Sequence, residues 1–146
     1  MELDILKELV NPWAVLVSAI ASMIIGSLWY SPLLFSKPCM AIIGVTPEKI
    51  TESKNKSIAK SMVIGFISAM VTAFSLSLLI GLIAPNTIAG MWLALYIAFI
   101  FWLGFMAVIH LDTVIWEGRP WKYFFINSGC RLVTILAITL ILYFWR

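Results

Sequence analysis

Four long apolar runs separated by short polar breaks set the pattern of the chain. A helix that crosses the ~30 Å hydrocarbon core of a bilayer needs about 20 mostly apolar residues. The runs predict spans at about 12–30, 57–83, 88–110 and 120–145, the third able to continue to Trp116. The first run carries its own start signal. Asn11 stands at the N-cap and Pro12 at the first helical position, where a missing N–H costs nothing. Pro85 ends the second run and Pro120 opens the fourth. The expected fold is all-α: a single integral membrane domain, built as a bundle of four transmembrane helices.

The one long connection, at about 31–56, has a pattern of its own. Leu33, Leu34, Phe35, Met40, Ile42 and Ile43 form an apolar cluster too short to span and suited to lying in the membrane interface. Thr46, Pro47 and Glu48 then read as a cap, a first-turn proline and an acidic first turn, which predicts a short polar helix before span two.

A second periodicity runs inside the spans. Span two places Ser61, Gly65, Ala69, Ala73, Ser77 and Gly81 four residues apart. Span one has Ala14, Ser18, Ser22 and Gly26, and span three begins the same row with Gly90, Ala94 and Ala98. Lipid tails give helices no hydrophobic reason to associate, so close backbone approach has to supply the packing energy. A helix turns every 3.6 residues, so a four-residue row winds around it and no single straight partner covers the row. The rows therefore predict contacts within the chain and also between chains, as in a homo-oligomer.

Charge changes this picture by giving it a direction. Only 12% of residues are charged and 62% are hydrophobic, against about 25% charged in ordinary globular chains. Lys37, Lys49, Lys54, Lys56 and Lys60 lie in or beside the first connection, and Arg119 and Lys122 in the last. The opposite side has only Lys7 and Arg146. The positive-inside rule then puts both lysine- and arginine-bearing connections in the cytoplasm and both termini outside, in an inner or plasma membrane. The opening MELDILKELVNPW is acidic where a secretory signal is basic, so the first run is expected to remain as a helix. A net charge of +3 in such a chain reports topology rather than a nucleic-acid partner.

Candidate chemistry is sparse. There is no HExxH, CxxC, GxSxG, P-loop or dinucleotide turn, and no nucleophile–base pair that would mark an enzyme. His110 is the single histidine, so one chain cannot build a multi-histidine metal site, and no cofactor is expected. Cys39 and Cys130 form no close motif and read as free thiols. No acidic residue sits deep in a span, which argues against a proton-coupled exporter of the small multidrug type. The polar groups that remain gather at the predicted cytoplasmic end: Trp29, Tyr30, Ser31 and Pro32 after span one, His110, Asp112 and Glu117 after span three, and Arg119, Asn127 and Arg131 around the start of span four.

Arg131 is the sharpest of these. It falls roughly a third of the way into the bilayer at a rise of about 1.5 Å per residue, where an unpartnered guanidinium costs on the order of 2.5–3.5 kcal/mol. Two readings stand. Arg131 pairs with Asp112 and snorkels as a clamp between helices, or it forms an anion or headgroup site with Asn127 and His110.

Several of these stretches resemble a known family. The run GSLWYSPLLF, the later GVTPEKI, the WLGF of Trp102 to Phe105, and EGRP with Asn127 on the next helix are similar to an uncharacterised bacterial four-span membrane family of unknown function, DUF1761. The resemblance covers nearly the whole chain. It implies a four-span membrane protein with no established activity or ligand, and it implies that GSLWYSP and EGRPW belong to one surface. Lys37, Pro38 and Cys39 stand where the family pattern leads one to expect a further aromatic. The function expected is transport of a small solute or ion, or a channel-like path through an oligomer. The alternative is a structural or accessory protein that binds lipid or another membrane subunit. Topology has a direct check: Cys39 should react with a membrane-impermeant thiol reagent only from the cytoplasmic side, and labelling from outside would reverse the orientation.

Overall fold

A computed structural model describes residues 9–44, 47–84 and 87–145, the side chains of Ile43 and of residues 47–58 excepted. All regular structure among the described residues is helical: α1 (Pro12–Trp29), α2 (Ser36–Ile43), α3 (Pro47–Ile83), α4 (Ile88–Phe101), a π-helical stretch (Trp102–Ala107), α5 (Val108–Ile115) and α6 (Trp121–Phe144). Four stretches are long and apolar enough to cross a membrane: α1, Ala59–Ile83 of α3, the continuous run Ile88–Ile115, and α6. The protein is a multi-pass membrane protein.

The helix starts follow their sequence signals. Asn11 Oδ1 accepts the Trp13 amide at 3.0 Å, which caps α1 ahead of Pro12. Thr87 Oγ1 does the same for Gly90 at 3.1 Å on α4. One boundary differs from the sequence expectation. The polar helix expected after Thr46 and the span expected from Ser57 form one helix of 37 residues. No proline or glycine occurs between Pro47 and Gly65, so nothing in the chain breaks the backbone ladder. Thr46 and Pro85 themselves lie outside the described residues, as do Lys7 and Arg146.

The last helix is the hub. It packs on α1, α3, α4, α5 and the π-helical stretch, and 44% of its span is buried, against 17–28% for the other three. α1 and α6 run in opposite directions, since Asn11 Nδ2 donates to the Trp145 carbonyl at 3.0 Å at one end and Trp29 Nε1 to Ile126 at the other. Tyr143 joins the end of α6 to the start of α4: its hydroxyl accepts the Thr87 amide at 2.9 Å and donates to the Thr87 carbonyl at 2.5 Å. Around this end lies the apolar core of Val15, Leu76, Ile80, Ile135, Ile138 and Leu142.

The small-residue rows divide along their length. Ala14 and Ser18 on α1, Ala73 and Ser77 on α3, and Ala94 and Ala98 on α4 are all buried, so these parts of the rows bring helices close. Gly81 approaches the chain ahead of α1 so tightly that a Cβ there would lie 3.0 Å from Leu9 Cδ2 and 3.1 Å from the Leu9 carbonyl oxygen. Toward the lysine-rich end the helices no longer close. A Cβ on Gly26 would meet nothing within 4 Å, and one on Gly65 only the Met23 sulfur at 3.8 Å.

α2 folds back against the start of α6 and buries Cys39, whose thiol pKa burial pushes up. Lys37, exposed on the same helix, is therefore the better reporter of sidedness, as Lys37→Cys in a Cys39→Ser background. The packing gives a further expectation. Gly81→Ala should lower the thermal midpoint in detergent, with a loss of about 1–3 kcal/mol, because a carbonyl oxygen cannot swing aside like a side chain. Gly26→Ala, which enters open space, should show no loss.

Candidate functional site

The residues GSLWYSP form the joint between α1 and α6. Trp29 is the last residue of α1, and its indole N–H donates to the Ile126 carbonyl at 3.0 Å. That carbonyl lies within α6 and has a second lone pair to spare. The indole lies against Gly129, where a Cβ would come 3.4 Å from Trp29 Cζ2. Beside it the Tyr30 hydroxyl donates to Asn127 Oδ1 at 2.5 Å, and Asn127 Nδ2 donates to the Tyr123 carbonyl at 2.9 Å. Burial, the leading cause, pushes the Tyr30 pKa up to about 12, so the phenol keeps its proton and remains a donor at neutral pH.

Ser31 and Pro32 turn the chain. The Ser31 carbonyl accepts the amides of Leu34 (3.1 Å) and Ser36 (3.2 Å), and the Trp29 carbonyl accepts that of Phe35 (3.2 Å). The Phe35 ring ends 5.1 Å from Trp29, which covers the outer side of the joint. Ser31 Oγ is buried, with no hydrogen-bond partner among the described residues.

A second indole grips α6 from the opposite flank. Trp102 opens the π-helical stretch and donates to the Ser128 carbonyl at 2.8 Å. A π turn inserts an extra residue and rotates the rest of the helix relative to a plain α-helix, and such turns recur at functional sites. Here it brings Trp102 onto α6 and Met106 to the wall of a cavity.

That cavity has a volume of about 430 Å³ and lies between α1, α3 and α6. α1 contributes Ser22, Gly26 and Ser27, with Tyr30 just after it, and α3 contributes Gly65, Ser68 and Thr72. Arg131 and Thr134 face it from α6, with Ile135 and Ile138 toward its deep end. Most of these hydroxyls are already engaged. Ser68 donates to the Ile64 carbonyl (2.9 Å), Thr72 to Ser68 (2.9 Å) and Thr134 to Cys130 (2.8 Å). The unengaged donors on the wall are the guanidinium of Arg131 and the hydroxyls of Ser22 and Ser27, none of which makes a side-chain hydrogen bond among the described residues.

The polar residues singled out in the sequence separate into two groups. Tyr30 and Asn127 are bonded to each other, and Tyr30 shares the cavity wall with Arg131, while His110 is half-buried on α5 with its carbonyl accepting from Thr113 Oγ1 at 2.7 Å. Glu117 and Arg119 instead pair with one another at 3.6 Å in the exposed turn before α6, where the guanidinium also sits 5.6 Å from the Tyr123 ring centre. Gly118, with φ +65°, lets that turn form. Asp112 is exposed, and among the described residues no ion pair joins it to Arg131. The clamp drawn between those two is therefore not the arrangement found.

Sequence reasoning does not single out Ser27, Ser68, Thr72, Met106 or Thr134 as cavity residues. The available signal lies in the small-residue rows. Gly26 and Gly65 have the spacing of packing positions, and in the fold they leave space unfilled.

The family model described as a protein of unknown function (DUF1761) matches residues 13–143. No curated protein and no solved structure matches the chain.

Proposed function

We propose, for a chain that belongs to the family of proteins of unknown function DUF1761, that the bundle binds a small anionic solute in the Arg131 cavity and passes it across the bilayer. One observation carries the reading: among the described residues the cavity wall holds a guanidinium and no carboxylate. The acidic side chains among the described residues are Asp112 and Glu117, and neither lines it. Arginine stays protonated in proteins, so the wall bears a permanent positive charge at membrane depth, and an anion beside it would offset the cost of placing that charge there. The volume falls in the range of roughly 300–1,000 Å³ typical of small-molecule sites.

The cavity reaches from Tyr30 to Ile138 and stops at the packed core. A solute bound there would have one side open and one closed, as alternating access requires. Passage then needs either that core to part or a path completed between copies of the chain. We favour a homo-oligomer, in which a neighbouring copy covers part of the apolar face that α3 exposes at Val63, Ile67 and Val71. Lys37, Lys60, Arg119 and Lys122 accompany the cavity end of the bundle, which favours that end in the cytoplasm and both termini outside, in an inner or plasma membrane.

A second reading, a structural or accessory protein that binds lipid or another membrane subunit, is favoured by the third span. Only 17% of that span is buried, and it exposes Trp92, Tyr96, Phe105 and Ile109. Proteoliposomes separate the two. A panel running from chloride and inorganic phosphate to a fluorescent short-chain phospholipid should include at least one anion that moves faster than in protein-free vesicles. Arg131→Leu and Gly26→Leu should each abolish that movement while oligomer size is unchanged. No movement of any panel member by the wild-type protein would leave the accessory reading.

A further inference from the structure

The direction in which the cavity opens narrows the class of ligand. α3 packs along α1 but barely touches α4. The wall between α3 and Met106 is therefore the thin one, and beyond it lies lipid. Arg131 is exposed on this bundle although it lies about 15 Å along α6 from Trp121 at the standard helical rise. A hydrated inorganic ion would have to reach the guanidinium through or beside hydrocarbon. An amphiphile already in the leaflet can draw its headgroup inward through that wall while its chains stay in hydrocarbon.

The distribution of donors fits such a ligand. α1 and α6 are antiparallel and Trp29 stands level with Ile126. Each step along α6 thus matches a step back along α1, and Arg131 lies level with the turn between Ser22 and Ser27. The two free hydroxyls and the guanidinium therefore share one level of the cavity, all able to donate, with no competing carboxylate. The guanidinium offers its N–H groups in a planar fork that matches phosphate oxygens. Deeper in, Ile135 and Ile138 supply apolar wall, and Met23 and Met106 add to it on the flanks, which suits carbon and not a second hydration shell.

From this geometry we infer that the cavity binds a phosphate group carried by a membrane amphiphile. Arg131 holds the phosphate, Ser22 and Ser27 add hydrogen bonds, and the attached chains lie along Ile135 and Ile138. The inference rests on the anion-binding reading above and specifies its ligand.

Native mass spectrometry of the purified full chain tests it, with phosphatidylglycerol, diacylglycerol of the same chains, and inorganic phosphate as probes. The wild-type protein should retain phosphatidylglycerol over diacylglycerol by about tenfold or more, the scale of one charge-assisted hydrogen-bonded contact. Arg131→Gln should lose that preference and Arg131→Lys should keep part of it. Gly26→Leu, which adds carbon where nothing lies within 4 Å, should exclude the lipid without touching the charge. Size-exclusion profile and helicity identify variants that fold. If inorganic phosphate binds and depends on Arg131 while no lipid is retained, the amphiphile is wrong and the anion-binding reading stands. If neither binds, both fall. Equal retention of phosphatidylglycerol by wild type and a folded Arg131→Gln overturns the assignment to Arg131.

Discussion

Two indole N–H groups, on Trp29 and Trp102, donate to carbonyls of the same helix two residues apart, Ile126 and Ser128. In lipid, apolar contact alone does little to hold helices together, and interhelical hydrogen bonds contribute about 0.6–1.7 kcal/mol each. These two do more than add energy, because they set register. They fix the end of α1 and the middle of the third span at one level of α6, and Gly129 leaves room for the Trp29 ring to lie against the helix there. The bonds need no polar side chain on α6, since a helical carbonyl keeps a lone pair after its own ladder bond.

With the helices pinned at that level, the bundle can be tight on one side of it and loose within. Near the start of α1 and the end of α6, alanines and serines let the helices close on Leu76, Ile80, Ile135 and Ile138. Between that core and the indole joint the rows continue as Gly26 and Gly65, which have no side chains to fill the widening gap. The same sequence device thus produces close packing in one half and a cavity in the other. Arg131 lies on the wall of this cavity, beneath the Tyr30–Asn127 bond.

Much of the fold is legible in the chain because membrane helices announce themselves through length and apolarity. The start of α1 at Pro12, the end of α3 at Ile83 and the opening of α6 at Trp121 lie at or beside the residues that signal them. The continuity of α3 across Ser57 is not, since a change from polar to apolar composition looks like a boundary even where the backbone has none. The π-helical stretch leaves no mark either. WLGFMA could continue an α-helix by propensity, and the extra residue is fixed by what Trp102 reaches on α6. At the site, His110, Asn127 and Arg131 can be gathered from their places near span ends, and only proximity in the fold separates Arg119 and Glu117 from them. Residue type does not reveal which part of a small-residue row closes and which part stays open. That depends on the crossing of the helices.

Arg131, in this account, is a permanent cation at membrane depth whose partner is a lipid phosphate rather than a protein carboxylate. Solid-state NMR in phosphatidylglycerol bilayers measures this directly, using the chain with Arg119 and Arg146 changed to lysine so that Arg131 alone carries a ¹³C-labelled guanidinium. Strong ¹³C–³¹P dipolar dephasing is expected, at a separation of about 4 Å as in a hydrogen-bonded guanidinium–phosphate pair. An Arg131 guanidinium that shows no phosphorus contact in a folded bundle would contradict it.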